Sequence, residues 1–122
     1  MNVANISQVL DHAWQKHPQK NAVHLLFAKQ PEEILTYEQL TQRSAVFAQS
    51  LQTVDIQPGE VVIIILQHSQ ELLLTFFGTI IRGAIPSIMP FMTEKLLPEH
   101  YRYALKALFK ITRPAAVVTY QD

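Results

Sequence analysis

The stretch Gly59–Pro90 places the strongest constraint on the fold of this chain. Its segment Val61–Leu66 is an uninterrupted aliphatic run of strand length. Such a run is typical of a strand buried on both faces, as in a parallel sheet covered by helices. A polar break follows, then an apolar segment that reaches Ile81 and a second apolar run over Ala84–Met89. We therefore predict a strand, a crossover helix and a second strand, which together form a βαβ unit.

Capping patterns and hydrophobic spacing predict the elements on either side of this unit. In chain order they are a helix over Ile6–His17 capped by Asn5, a hairpin of strands Ala22–Ala28 and Ile34–Thr36, a helix from the Thr36 capping box to Gln52, a helix over Pro98–Lys110 and a strand over Ala115–Tyr120. The predicted fold class is α/β, with a mostly parallel sheet, crossover helices and a short N-terminal antiparallel hairpin. Residues 1–122 are predicted to form a single partial domain.

Composition excludes several classes of function. The 122 residues carry equal numbers of acidic and basic side chains, so no net field attracts nucleic acid or an anionic membrane surface. Cysteine is absent, which excludes a disulfide scaffold, a thiolate metal site and a cysteine nucleophile. The N-terminal residues show no signal-peptide pattern. A cytoplasmic location is the expectation that fits these features.

A membrane span is the alternative that Leu72–Met92 raises, because this stretch is long and apolar. Arg82 lies near its middle, and Pro86 and Pro90 would break the helix. A central arginine alone costs about 2.5–3.5 kcal/mol on insertion scales. We therefore predict no membrane span.

The loop Gln67–Ser69 follows the central strand, where α/β folds bind their ligands. Glycines occur only at positions 59, 78 and 83, so neither glycine-rich phosphate-binding pattern is present. His68 and Ser69 suggest a base and a nucleophile, but adjacent residues point apart, and a helix cap beside a loop histidine explains them better. We predict no catalytic, cofactor-binding or metal-binding residue.

The other chemistry-bearing side chains have ordinary structural explanations. The remaining histidines are scattered, and Glu32 with Glu33 fits a solvated hairpin turn. Aromatic side chains at helical spacing are expected in the core or at an interface; they are Phe76, Phe77, Tyr101, Tyr103 and Phe109.

A family resemblance begins at Leu35–Leu40, which resembles the first core motif, L-T-Y-x-E-L, of the AMP-forming adenylating enzymes. That superfamily includes acyl-CoA synthetases, fatty-acyl-AMP ligases and the adenylation domains of peptide synthetases. Further segments resemble it in the same order: His17–Pro18 with Ala22–Val23, Ile56–Val62, Gln67–Glu71, Ile80–Pro90 and Pro114–Thr119. Glu60, His68 and Ile81–Arg82 depart from the usual residues. The stretch after Ile85 and the one from Pro98 to Tyr101 look more like acyl-activating members than peptide-synthetase domains.

The resemblance implies that the parent protein activates a carboxylic acid, such as a fatty acid, with ATP and Mg²⁺, and that CoA or a carrier protein is its candidate thiol acceptor. It also implies that the residues performing this chemistry follow Asp122, so that this N-terminal fragment binds no cofactor and is inactive alone. Self-association of the fragment is expected, since an unpaired strand and an apolar helix would be left uncovered. The alternative is a small non-catalytic α/β domain that binds a partner protein.

Overall fold

A computed structural model describes residues 5–90 and 98–119. In chain order the elements are α1 (Ile6–Lys16), β1 (Asn21–Leu25), β2 (Glu33–Thr36), α2 (Tyr37–Thr53), β3 (Val61–Ile65), α3 (Gln70–Arg82), β4 (Ile85–Ile88), α4 (Pro98–Thr112) and β5 (Ala116–Thr119). The predicted element order and the α/β class are confirmed. Part of the acyl-activating resemblance, from Phe91 to Leu97, lies outside the described residues, as does Tyr120 of the predicted last strand.

Local sequence signals set the ends of the helices. Asn5 and Thr36 each form a complete capping box with the side chain three residues later, as predicted. Ser69 caps α3, and Gly83 ends it at φ +87°, in the left-handed region that favours glycine. Arg82, in the last turn of α3, donates from Nε to the carbonyl oxygen of Ile56 at 2.8 Å. The caps satisfy backbone groups that helix ends leave unpaired, and the Arg82 bond joins the end of α3 to the loop before β3.

The hairpin of β1 and β2 is antiparallel, with His24 opposite Ile34 and Leu25 opposite Glu33. The predicted first strand, Ala22–Ala28, was too long at its C-terminal end, because the strand stops at Leu25. Its partner β2 has only four residues, so Leu26 finds no opposing residue and is 69% exposed. The loop residues after Leu25 instead approach the end of β3.

The main sheet has three parallel strands in the order β4-β3-β5. The predicted βαβ unit is therefore confirmed as β3, α3 and β4. The chain moves one way across the sheet from β3 to β4 and the other way from β4 to β5. Because crossovers between parallel strands are right-handed, this reversal directs α3 and α4 to opposite faces.

Two apolar clusters form the core. One surrounds Val62 and Ile64 of β3, which are fully buried, and extends to Leu51 of α2 and Phe76 of α3. The other joins α1, β2 and α2, with Leu10, Leu35 and Leu40 at its centre and Phe77 packed against it. Helix α3 thus contacts both clusters and connects the hairpin layer to the sheet.

Helix α3 packs closely against α2 through small residues. Ser44 of α2 is fully buried, and a Cβ placed on Gly78 of α3 would lie 2.8 Å from the Ser44 carbonyl oxygen. The sequence of α3 is apolar nearly all round and predicts a helix buried on most sides, but its buried residues are only Thr75, Gly78 and Thr79. Its larger apolar side chains are half-buried, because α2 covers one side of the helix and the described elements do not enclose the rest. Over residues 5–90 and 98–119, no helix combines the length and the apolar character needed to cross a membrane.

Candidate functional site

The loop after β3 lies at the carboxyl edge of the parallel sheet, where α/β folds bind their ligands. Ser69 Oγ accepts a hydrogen bond from the Leu72 N–H at 3.3 Å and donates to the Gln67 carbonyl oxygen at 2.8 Å. Both partners are backbone groups of the loop and of the first turn of α3. The serine hydroxyl is thereby used as a helix cap, as its position in the sequence predicted.

His68 connects the sheet to the hairpin. Its Nε2 lies 3.1 Å from the carbonyl oxygen of Leu26, so Nε2 carries the proton in this contact. The ring also packs against Phe27, with centroids 5.1 Å apart and planes tilted by 53°. The hydrogen bonds of His68 and Ser69 therefore lead to different parts of the fold, and neither residue orients the other as a base orients a nucleophile.

A hydrogen-bonded relay joins three elements beside this loop. Gln70, the first residue of α3, donates from Nε2 to Glu33 Oε1 of β2 at 3.1 Å. Its Oε1 accepts from an Arg43 guanidinium nitrogen of α2 at 3.1 Å. Sequence reasoning missed this relay, because the partners are 37 and 27 residues apart and no local pattern links them. Glu33 had been assigned to a solvated turn, but it begins β2 and is half-buried.

The hairpin carries a second polar contact. Glu32 Oε2 lies 3.5 Å from His24 Nδ1, and both side chains are about half exposed. An exposed pair of this kind contributes little to stability. Within the described residues, no three histidine, aspartate or glutamate side chains come together as a metal site would require.

An apolar groove of about 410 Å³ lies between α2, α3 and the ends of β3 and β5. Arg43 and Glu71 are the charged residues on its wall. The remaining lining residues are mainly apolar: Val46, Phe47, Ser50, Leu66, Leu74, Thr75, Val118 and Thr119. The groove follows β5 on the same side of the sheet as the larger core cluster, since Val118 belongs to both.

The helical spacing of Tyr101 in α4 predicted a place in the core or at an interface, and the structure buries its hydroxyl group with no hydrogen-bond partner. Burial raises the pKa of Tyr101 above its ordinary value. The residue contributes apolar surface to the packing of α4.

Solved structures reproduce this arrangement of elements. A fatty acid AMP ligase from Legionella pneumophila superposes with a TM-score of 0.77 and 28% identity, over 91% of this chain and 18% of that one. A fatty acyl-adenylate ligase from the same organism, solved with acyl adenylate and pyrophosphate, matches to the same extent over 19% of its length. The N-terminal subdomain of Klebsiella oxytoca NpsA shares the fold, with a TM-score of 0.76 at 20% identity over 96% of this chain and 28% of that one.

The matched structures are much longer than this chain, which spans about a fifth of the two Legionella ligases. No curated protein sequence matches the chain. A sequence model of the AMP-binding enzyme family, by contrast, matches residues 10–118, which include β1 to β4, α2 to α4 and all but the last residue of β5. The strand order, the capped helix after β3 and this match agree with one another, and the chain belongs to the AMP-binding enzyme family.

Proposed function

We propose that this chain is the opening part of the large N-terminal domain of an AMP-forming, acyl-activating ligase. The observation that carries the proposal is the family match over residues 10–118, combined with the 28% identity to a fatty acid AMP ligase. The parent protein would join a carboxylic acid to ATP, forming an acyl-adenylate and releasing pyrophosphate. In this proposal its location is cytoplasmic.

The part of this chain in that reaction is structural. ATP and Mg²⁺ would be bound by the parent enzyme, and a thiol such as CoA would be its acyl acceptor where a second step follows. The loop after β3 supports a structural role, because His68, Ser69 and Gln70 direct their hydrogen bonds to other parts of the same fold. The chain would hold β3 and α3 in place and leave the chemistry to other segments.

A pyrophosphate-exchange assay tests the proposal. The isolated chain, supplied with ATP, Mg²⁺ and fatty acids of several lengths, is expected to show no ATP–pyrophosphate exchange. Measurable exchange would show that the catalytic groups lie within these residues and would refute the structural role.

A chimera tests the family role directly. This chain would replace the matching segment of the Legionella fatty acid AMP ligase, and the product should retain fatty-acid-dependent exchange. The unaltered ligase is the positive control. A chimera that is folded and soluble but shows no fatty-acid-dependent exchange would contradict the proposal that the segment serves as an exchangeable scaffold.

The non-catalytic interaction domain is the weaker reading. It calls for a polar outer face on α3, so that the chain is packed completely by itself. The structure instead leaves Leu72, Leu73 and Leu74 half-buried in succession around this helix. Apolar surface of this kind favours a segment that packs against further protein, and we propose that in the isolated chain it promotes self-association.

A further inference from the structure

Among the described strands, β5 lies at one edge of the sheet. The Ala115 N–H donates to the Val61 carbonyl oxygen at 2.8 Å, which directs this residue toward β3. Successive backbone groups along a strand alternate in direction, so the N–H and C=O groups of Ala116 and Val118 are directed away from β3. Among the described strands, none pairs with this outer side. Its four residues, from Ala116 to Thr119, carry no charge that would repel another strand.

The opposite edge, β4, is protected. The N–H groups of Ile85 and Met89 donate to the carbonyl oxygens of Glu60 and Ile64, at 2.8 and 2.9 Å. Alternation therefore directs Pro86 and Ile88 outward. Proline has no N–H, so this edge lacks a donor in its first half, and proline is a common device for blocking strand addition. The two edges of the sheet thus differ, and β5 is the edge that can accept a strand.

The groove beside β5 extends the same surface. Val118 lines the groove, with Phe47 and Leu74 on its walls. Val46 of α2 also lines it and is 65% exposed. A strand added outside β5 would place alternate side chains on the face where Val118 lies, and so toward this groove. One added strand would therefore pair with β5 and also place side chains in the groove.

We propose that the isolated chain self-associates as a two-fold dimer in which β5 pairs antiparallel with β5 of a second copy; this inference rests on the self-association proposed above. A second copy is favoured because the chain has no net charge and β5 is uncharged, so that two identical edges meet without repulsion. Pro86 opposes the head-to-tail alternative, in which β4 of one copy would add to β5 of the next and form open chains. The association therefore stops at two copies.

One register uses every outward group of β5 within the four residues of the strand. It pairs Ala116 of one copy with Val118 of the other, because these residues direct both their N–H and C=O groups outward. Val117 then lies opposite the second copy's Val117, in a non-hydrogen-bonded pair with Cβ atoms about 4.5–5.5 Å apart. Val117 is 41% exposed, so a charged side chain can be placed there without entering the fully buried core.

Charge substitution at this position tests the register. Val117→Lys and Val117→Glu should each raise the dimer Kd by roughly tenfold or more, since like charges meet directly and a β-branched pair is lost. An equimolar mixture of the two variants should restore association as a heterodimer, detected by native mass spectrometry. Ile85→Lys is the matched control: Ile85 is 51% exposed and lies on the same face of the sheet, but on the blocked edge. Its Kd should equal that of the unmodified chain.

Ala116→Pro provides a second variant if the charged ones lose their circular-dichroism signal. It removes an outward N–H and leaves the bond from Ala115 to Val61 in place. Dimerisation that persists unchanged in Ala116→Pro, or that fails in Ile85→Lys and not at Val117, would overturn the proposal. So would an unmodified chain that stays monomeric by light scattering at high concentration. None of these results bears on pyrophosphate exchange, so they separate this inference from the proposed ligase role.

Discussion

Replacing Gly78 with alanine tests the close approach of α2 and α3. A Cβ at this position would lie 2.8 Å from the carbonyl oxygen of Ser44 and 2.8 Å from Cδ1 of Phe47. Rotation of the Phe47 ring can relieve the second contact. The first contact involves the backbone of α2, so the two helices must move apart before the new methyl group fits.

Two opposing terms set the expected change in the free energy of unfolding. Inserting a methyl group into a well-packed contact costs about 1–3 kcal/mol. Alanine in place of glycine inside a helix returns about 1 kcal/mol through its higher helix propensity. Because the Ser44 carbonyl cannot rotate away, the packing cost should lie in the upper half of its range. We expect Gly78→Ala to lower the free energy of unfolding by about 1–2 kcal/mol.

Urea denaturation followed by far-ultraviolet circular dichroism measures this change. The matched control is Ala45→Gly on the exposed face of α2, next to Ser44, which reports helix propensity without the packing contact. It should cost about 1 kcal/mol. If Gly78→Ala instead stabilises the chain by the amount that Ala45→Gly loses, the helices have room for the methyl group and the argument from close packing is refuted.

Three further predictions use other parts of the fold. Gly59→Ala and Gly83→Ala should each lower the free energy of unfolding by about 1–2 kcal/mol, since both glycines have positive φ. The loss should be larger at Gly83, where the new Cβ would lie 3.3 Å from Pro58. Urea midpoints that are the same for the two variants would contradict this ranking. Ser69→Ala should cost about 1 kcal/mol through the lost cap, and equal stability by urea denaturation would contradict the cap. Burial raises the pKa of Tyr101, so the folded chain keeps its proton where the unfolded chain releases it, and stability should fall as pH rises above the ordinary value of 10.0. Tyr101→Phe should reduce that fall in thermal-denaturation midpoints, and an unchanged slope would refute the assignment.

The parts of the fold that the sequence predicted best are those specified locally. The capping boxes at Asn5 and Thr36 involve partners three residues away, and both are present. The aliphatic run of β3 identified the central strand, because a strand buried on both faces is apolar throughout and does not alternate with polar residues. Element order followed from these signals.

Features that depend on distant partners were predicted less well. The apolar residues after Leu25 suggested a longer strand, but the length of β1 is set by the short β2 that pairs with it. The hydrogen-bonded relay from Glu33 through Gln70 to Arg43 depends on how two helices and a strand meet, which no spacing in the sequence encodes. The burial of α3 likewise depends on what covers its sides, and composition alone overstated it.

The loop after β3 shows the same dependence on distant partners. A polar loop at the carboxyl edge of a parallel strand has the position of a ligand site, and position is what the sequence reveals. In the structure, His68 bonds to Leu26, Ser69 caps α3 and Gln70 bridges two other elements. A ligand that recruited these groups would have to break the contacts that hold the hairpin and α2 against α3, and it would lose affinity by that cost. Polar residues at this edge therefore join layers of the fold, in agreement with the structural role proposed for this segment.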